Sequence, residues 1–222
     1  MNFVTRCALT VLFAFSAVVL GDAAQAADDI SKINGSVKVE PGQQVGDVST
    51  VNGSVTIGAG ARVNDVGTVN GSVRIEDKAV VEGAVETVNG SITVGIEAEI
   101  QRGIDAVNGS LTLRKDAKVA GGLENVNGMM LVEGARVDGG IETVNGDIRL
   151  ATGSHVTGGI HVEEHKSSWW KSTNSRNPRI TIEQGVTVEG PLHFERAVDL
   201  YVAPGVNLPP VEGVQPQRFT LQ

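Results

Sequence analysis

Short apolar–polar alternations run down the chain from about residue 30, each broken by a corner containing glycine, asparagine or aspartate. In Val51 to Thr68, VNGSVTIGAGARVNDVGT, Val55 and Ile57 alternate with Ser54 and Thr56. That period of two predicts a strand with one apolar side. Ala61 and Val63 flank Arg62 in the same way, and Val66 begins a third short segment that runs into Val69. Val51, Ile57, Val63 and Val69 are six residues apart, so three such steps make one 18-residue turn, a triangular rung with three short faces. The corners carry Asn-Gly, Gly-Ala-Gly and Asn-Asp, residues that take tight or left-handed backbone at little cost. Helical periodicity is absent.

An aliphatic residue followed by Asn-Gly returns at Asn34, Asn52, Asn70, Asn89, Asn108, Asn127 and Asn145, at intervals of 18, 18, 19, 19, 19 and 18 residues. A period this short and regular predicts a solenoid in which each repeat is one turn of the coil. The expected fold is all-β, a single-stranded parallel β-helix. Eight to nine triangular rungs of 18–19 residues, stacked about 4.8 Å apart, give a rod roughly 40 Å long. Repeats three to five carry one extra residue near the third corner, as in EGAVET after Val81. The body from Ala27 to Val162 contains no Phe, Tyr or Trp, which suits a coil too narrow for aromatic side chains, and its one proline, Pro41, sits at a corner. Stacked asparagines in parallel strands can hydrogen-bond each to the next, so the column reads as a structural ladder. The following glycine is expected to supply a positive φ at the corner. Five of the asparagines also lie in N-G-S glycosylation sequons, but Asn-Gly persists at Asn127 and Asn145, where the third residue is Met129 or Asp147. The corner is therefore what the repeat preserves.

The chain ends differ from this body. Residues 1–26 read as a secretory signal: Arg6, a 14-residue apolar run from Cys7 to Leu20, and Ala24-Gln25-Ala26 before a cut at Ala27. The apolar run is shorter than the roughly 20 residues that span a bilayer, which argues against the alternative of an uncleaved anchor. A periplasmic or secreted protein is expected. Cys7 is the only cysteine, so the mature chain has no disulfide and no thiolate metal site. The net charge is −8, and Arg6 and Asp22 cancel, so the mature chain is acidic as well. Nucleic acid and charge-driven membrane binding are not expected.

The repeat breaks after Val162, the end of the regular segment 27–162. Residues 163–179, EEHKSSWWKSTNSRNPR, form an inserted loop with Trp169, Trp170, Lys171 and Arg176 as a candidate binding surface. At least one tryptophan is expected to fold back towards Met129 and Leu131. Strands resume over 180–208, Pro209-Pro210 are expected to end the regular structure, and 209–222 reads as a cap or tail.

Chemistry is sparse. His161 and His165, with Glu163 or Glu164, offer at most a weak divalent-metal arrangement, because an H-x3-H spacing converges on a helix and not on extended chain. His155 and His193 read as isolated. Acidic residues such as Glu76, Glu86, Glu97 and Asp105 look like a solvated surface. No catalytic residue, resident metal or cofactor is assigned, and an enzyme is not expected.

The stretches VTIGAGARV (Val55 to Val63) and VRIEDKAVVEGAVETV (Val73 to Val88) resemble the bactofilins, polymer-forming cytoskeletal proteins of bacteria. The repeated VNGS is also similar to repeats in adhesin-like domains. The bactofilin resemblance spans roughly Ile33 to Val162 and implies a right-handed triangular coil that polymerises end to end without nucleotide. The expected function is a non-catalytic scaffold of the bacterial cell envelope that associates with itself. The alternative is an adhesin-like module that binds glycan or an envelope protein through the Trp169–Trp170 loop. No transmembrane helix is expected after signal cleavage.

Overall fold

A computed structural model of the chain describes residues 28–164, 176–213 and 217–218. The predicted signal peptide, Trp169, Trp170, Lys171 and His165 lie outside the described residues. Among the described residues every regular element is a strand. The strands stack into three parallel sheets, one per side of the coil, over about nine turns. The first face has ten strands, from Ile30–Asn34 to Val211–Glu212, and the second has ten, from Val37–Val39 to Gln217–Arg218. The third has seven, from Arg62–Val63 to Thr187–Val188. Pairing follows the sequence period: Asn34 lies opposite Asn52, 18 residues on, and Asn89 opposite Asn108, 19 residues on. The extra residue of the longer repeats sits between the third and first faces, where Val63 to Val66 becomes Val81 to Val85.

Two faces line the interior as their alternation predicts. Val55, Ile57, Ala61 and Val63 are buried, as are their counterparts in later rungs. The first face differs. There Val66 and Thr68 point inward, while Val51 and Val69 are half-exposed on the outside. Thr50, Thr68 and Thr87 form a buried polar column whose hydroxyls donate to the carbonyls of Gly35 (3.0 Å), Gly53 (2.9 Å) and Gly71 (3.2 Å). Buried Ala106 interrupts the column, and beyond it Asn125 donates its amide to the Gly109 carbonyl at 2.9 Å. The physical reason is the corner itself. A carbonyl turned towards the interior needs a donor, and a buried threonine supplies one where valine cannot.

The glycines of the Asn-Gly corners divide: Gly35 (φ 105°), Gly109 (φ 155°) and Gly128 (φ 129°) take the expected positive φ, and the other four do not. Gly53, Gly71, Gly90 and Gly146 have no left-handed φ. Instead a Cβ on any of them would run into the carbonyl oxygen of the equivalent glycine one rung earlier. Close stacking of backbone excludes side chains here. Left-handed backbone also occurs at the next corner, between the second and third faces. Gly42 and Gly60 adopt it there, and Lys78 (φ 60°), Glu97 (φ 57°) and Asp116 (φ 59°) adopt it without being glycine.

Regular pairing does not stop at Pro209-Pro210. Val211–Glu212 pairs with Leu192 and His193, and Gln217–Arg218 pairs with Tyr201 and Val202. Proline is tolerated because only its carbonyl is needed: Leu192 N donates to Pro210 O at 3.0 Å.

Candidate functional site

The asparagine column is continuous. Each Nδ2 donates to the Oδ1 of the asparagine one rung earlier, from Asn52 onto Asn34 through to Asn145 onto Asn127, at 3.0–3.1 Å. Its last oxygen would be left over, because the insertion replaces the next Asn-Gly corner. Arg196 fills the gap, donating Nη1 to Asn145 Oδ1 at 2.5 Å and to the Val144 carbonyl at 3.1 Å. The ladder is therefore closed by a residue 51 positions later, with no local sequence signal.

Arg176, of the candidate binding loop, is engaged. Its Nη1 and Nη2 clamp the two carboxylate oxygens of Asp147 at 3.0 and 2.8 Å. Asp147 also accepts from the Arg179 backbone N–H at 2.9 Å. Burial pushes the Asp147 carboxyl upward, but the Arg176 and Arg179 bonds together outweigh it and hold the group below its ordinary range. Arg176 thus pins the C-terminal stem of the insertion to the rod.

The densest group of chemically capable side chains lies at the root of that insertion, on the outside of the first face. Parallel register aligns Glu142, His161, His193 and Glu212 in one column, one residue per rung. Two residues further along their strands come Glu163 and Glu195, which stay in register because Glu163 N bonds Thr143 O and Glu195 N bonds Val162 O, both at 2.9 Å. The result is a square of two histidines and two glutamates, built from HVE at His161 to Glu163 and HFE at His193 to Glu195. The alternate residues Val162 and Phe194 are buried and fix the outward direction of their neighbours.

The rings of His161 and His193 are 5.2 Å apart at centroid, tilted by 54°. His193 Nδ1 lies 2.8 Å from Glu212 Oε2, which leaves Nε2 as its open lone pair. His161 Nε2 is 3.5 Å from Glu195 Oε1. That is too long for a hydrogen bond, and Nε2 is buried without a partner. Glu195 Oε2 accepts from the Glu164 backbone N–H at 3.1 Å. One ligand atom each from His161, His193 and Glu195 lie within 4.8 Å of one another, and so do those of Glu142, His161 and Glu163. Imidazole nitrogens facing carboxylates in this way can take up a proton or a divalent cation.

The sequence alone pairs His161 with His165 and leaves His193 isolated. The insertion hides the true neighbour, because 32 residues separate His161 from His193 while one rung separates them in space. The repeated H-x-E was the available signal. His155 is apart, on the third face, with Nε2 2.9 Å from Glu189 Oε1 but outside hydrogen-bond alignment.

No known protein family, curated protein or solved structure matches the chain. It is a β-helix repeat protein by its fold alone. Among the described residues no helix is long and apolar enough to cross a membrane.

Proposed function

We propose that the chain is a non-catalytic, exported rod that serves as a scaffold component of the bacterial cell envelope, with two copies joined through their N-terminal ends. The observation that supports this is the state of the first strand. Ile30–Asn34 pairs on one side only among the described residues, and most of it is exposed, with Ile33 67 % accessible. A five-residue strand with a bare edge and an apolar side chain is a template for another strand. The other end is blunter. Among the described residues it finishes in two-residue strands, and Pro209-Pro210 bring no N–H. Joining head to tail would match a long edge with a poor one. Joining two copies of the long edge pairs them antiparallel about a twofold axis and closes at a dimer. The bactofilin resemblance supports self-association, and the blunt end limits it to pairs. Negative-stain microscopy of the mature chain, Ala27 to Gln222, tests this. Paired rods of doubled length, roughly 80 Å by rung spacing, support the reading, and single rods at every concentration refute it.

A second reading, an adhesin-like module for glycan or an envelope protein, draws support from the Arg176–Asp147 clamp, which gives the tryptophan insertion a fixed stem. Replacing Trp169 and Trp170 by alanine would abolish binding in that case while leaving rod pairing intact.

A further inference from the structure

We propose that the outer surface of the first face carries a binding site for a divalent d-block cation of the zinc class, formed by His161, His193 and Glu195, with Glu142 and Glu163 alongside. The site does not depend on rod pairing and lies near the opposite end of the coil.

Three independent features converge on it. The first is the donor set. Two imidazoles and a carboxylate suit zinc and its neighbours, whereas calcium and magnesium call for oxygen ligands alone. The second is orientation. Glu212 holds His193 through Nδ1 at 2.8 Å and leaves Nε2 to bind, the arrangement in which a carboxylate behind a histidine fixes its tautomer for a metal. The third is an unmet need. His161 Nε2 is buried and unpartnered, and the nearest carboxylate oxygen, on Glu195, is at 3.5 Å. A cation there would give that nitrogen a partner.

The spacing is compatible. Ligand atoms around a tetrahedral zinc with bonds of about 2.0–2.2 Å lie about 3.3–3.5 Å apart. The atoms here lie within 4.8 Å of one another, so side-chain rotations that close a gap of up to about 1.5 Å complete the site. The backbone beneath them is a paired parallel sheet with Val162 and Phe194 packed inside, which keeps both H-x-E segments in register. Three protein ligands leave one position for water or for a group from a partner.

Calorimetric titration of the chelator-stripped mature chain with zinc chloride at neutral pH tests the site. One zinc should bind per chain, with binding weakened more than tenfold in His161→Gln and in His193→Gln. Glu212→Gln touches no proposed ligand position yet should weaken binding about 10–100-fold. Circular dichroism of each variant checks that the coil is intact. Cobalt(II) in place of zinc should show the visible absorption of a tetrahedral site and lose it in His193→Gln. Absence of zinc uptake by the wild-type chain would overturn the assignment. So would uptake undiminished in both histidine variants, or loss confined to His155→Gln or His165→Gln.

Discussion

Gly90→Ala should unfold the coil far more readily than the small size of the change suggests. The added Cβ would collide with the Gly71 carbonyl oxygen and carbon, both of them backbone. Restoring an ordinary contact of about 3.5 Å means prising one Asn-Gly corner off the one beneath. Four hydrogen bonds of the corner and its flank cross that junction: Gly71 N to Asn89 O at 3.0 Å, Val73 N to Ser91 O at 2.9 Å, Thr87 Oγ1 to Gly71 O at 3.2 Å, and Asn89 Nδ2 to Asn70 Oδ1 at 3.1 Å. At about 1 kcal/mol net each they sum to about 4 kcal/mol. The lower chain entropy of alanine in the unfolded state returns about 0.4–1 kcal/mol, leaving a loss of about 3 kcal/mol. For a chain of this size that is a fall in Tm of about 10 °C. Gly67→Ala is the matched control. It sits within the first-face strand Val66–Asn70, its Cβ would meet nothing within 4 Å, and its φ is not left-handed. Only the entropy term remains, so stability should rise by about 0.4–1 kcal/mol. Urea and thermal unfolding followed by circular dichroism would measure both. If Gly90→Ala falls within about 0.5 kcal/mol of wild type, or if both variants lose the same amount, the stacked-corner reasoning is wrong.

Other outcomes follow from the same structure. Thr68→Val keeps the shape but strips the donor from the Gly53 carbonyl, and should cost about 1–2 kcal/mol in urea unfolding. Glu97→Gly should gain up to about 1 kcal/mol, because a left-handed φ of 57° penalises any residue with a Cβ and the exposed Lys78 partner at 3.8 Å adds little. Burial, and then the nearby Asp65, raise the Glu86 carboxyl above its ordinary range. Its folded-state contribution is therefore present below the unfolded pKa and lost as pH rises through the folded one. Glu86→Gln should stabilise the rod at neutral pH and give no gain in acid, as melting at a series of pH values would show. Asp147 has the opposite sign. Its lowered carboxyl adds stability above the unfolded pKa that disappears as pH falls through the folded one, and Arg176→Ala should reduce that acid sensitivity.

The coil was legible because its period is written directly in the Asn-Gly spacing, and the observed register repeats those 18- and 19-residue steps. Which side of the first face points inward was not legible from hydrophobicity. In VGTVN, Val66 and Val69 fall on opposite sides of a strand, so one valine must face out. The inward carbonyls of the corner decide in favour of Thr68, and those carbonyls have no signature in a hydropathy pattern. The Arg196 cap and the His161–His193 neighbours were hidden for a related reason. Both are contacts across the insertion, where the repeat that made all other neighbours predictable is interrupted.

Multi-angle light scattering of the mature chain over a range of concentrations, beside an Ile33→Lys variant, tests the central claim of a rod that pairs through its N-terminal edge. The mass should climb from one chain to two and go no higher, with the variant held at one. A wild-type mass of one chain throughout, or pairing that survives Ile33→Lys unchanged, would contradict it.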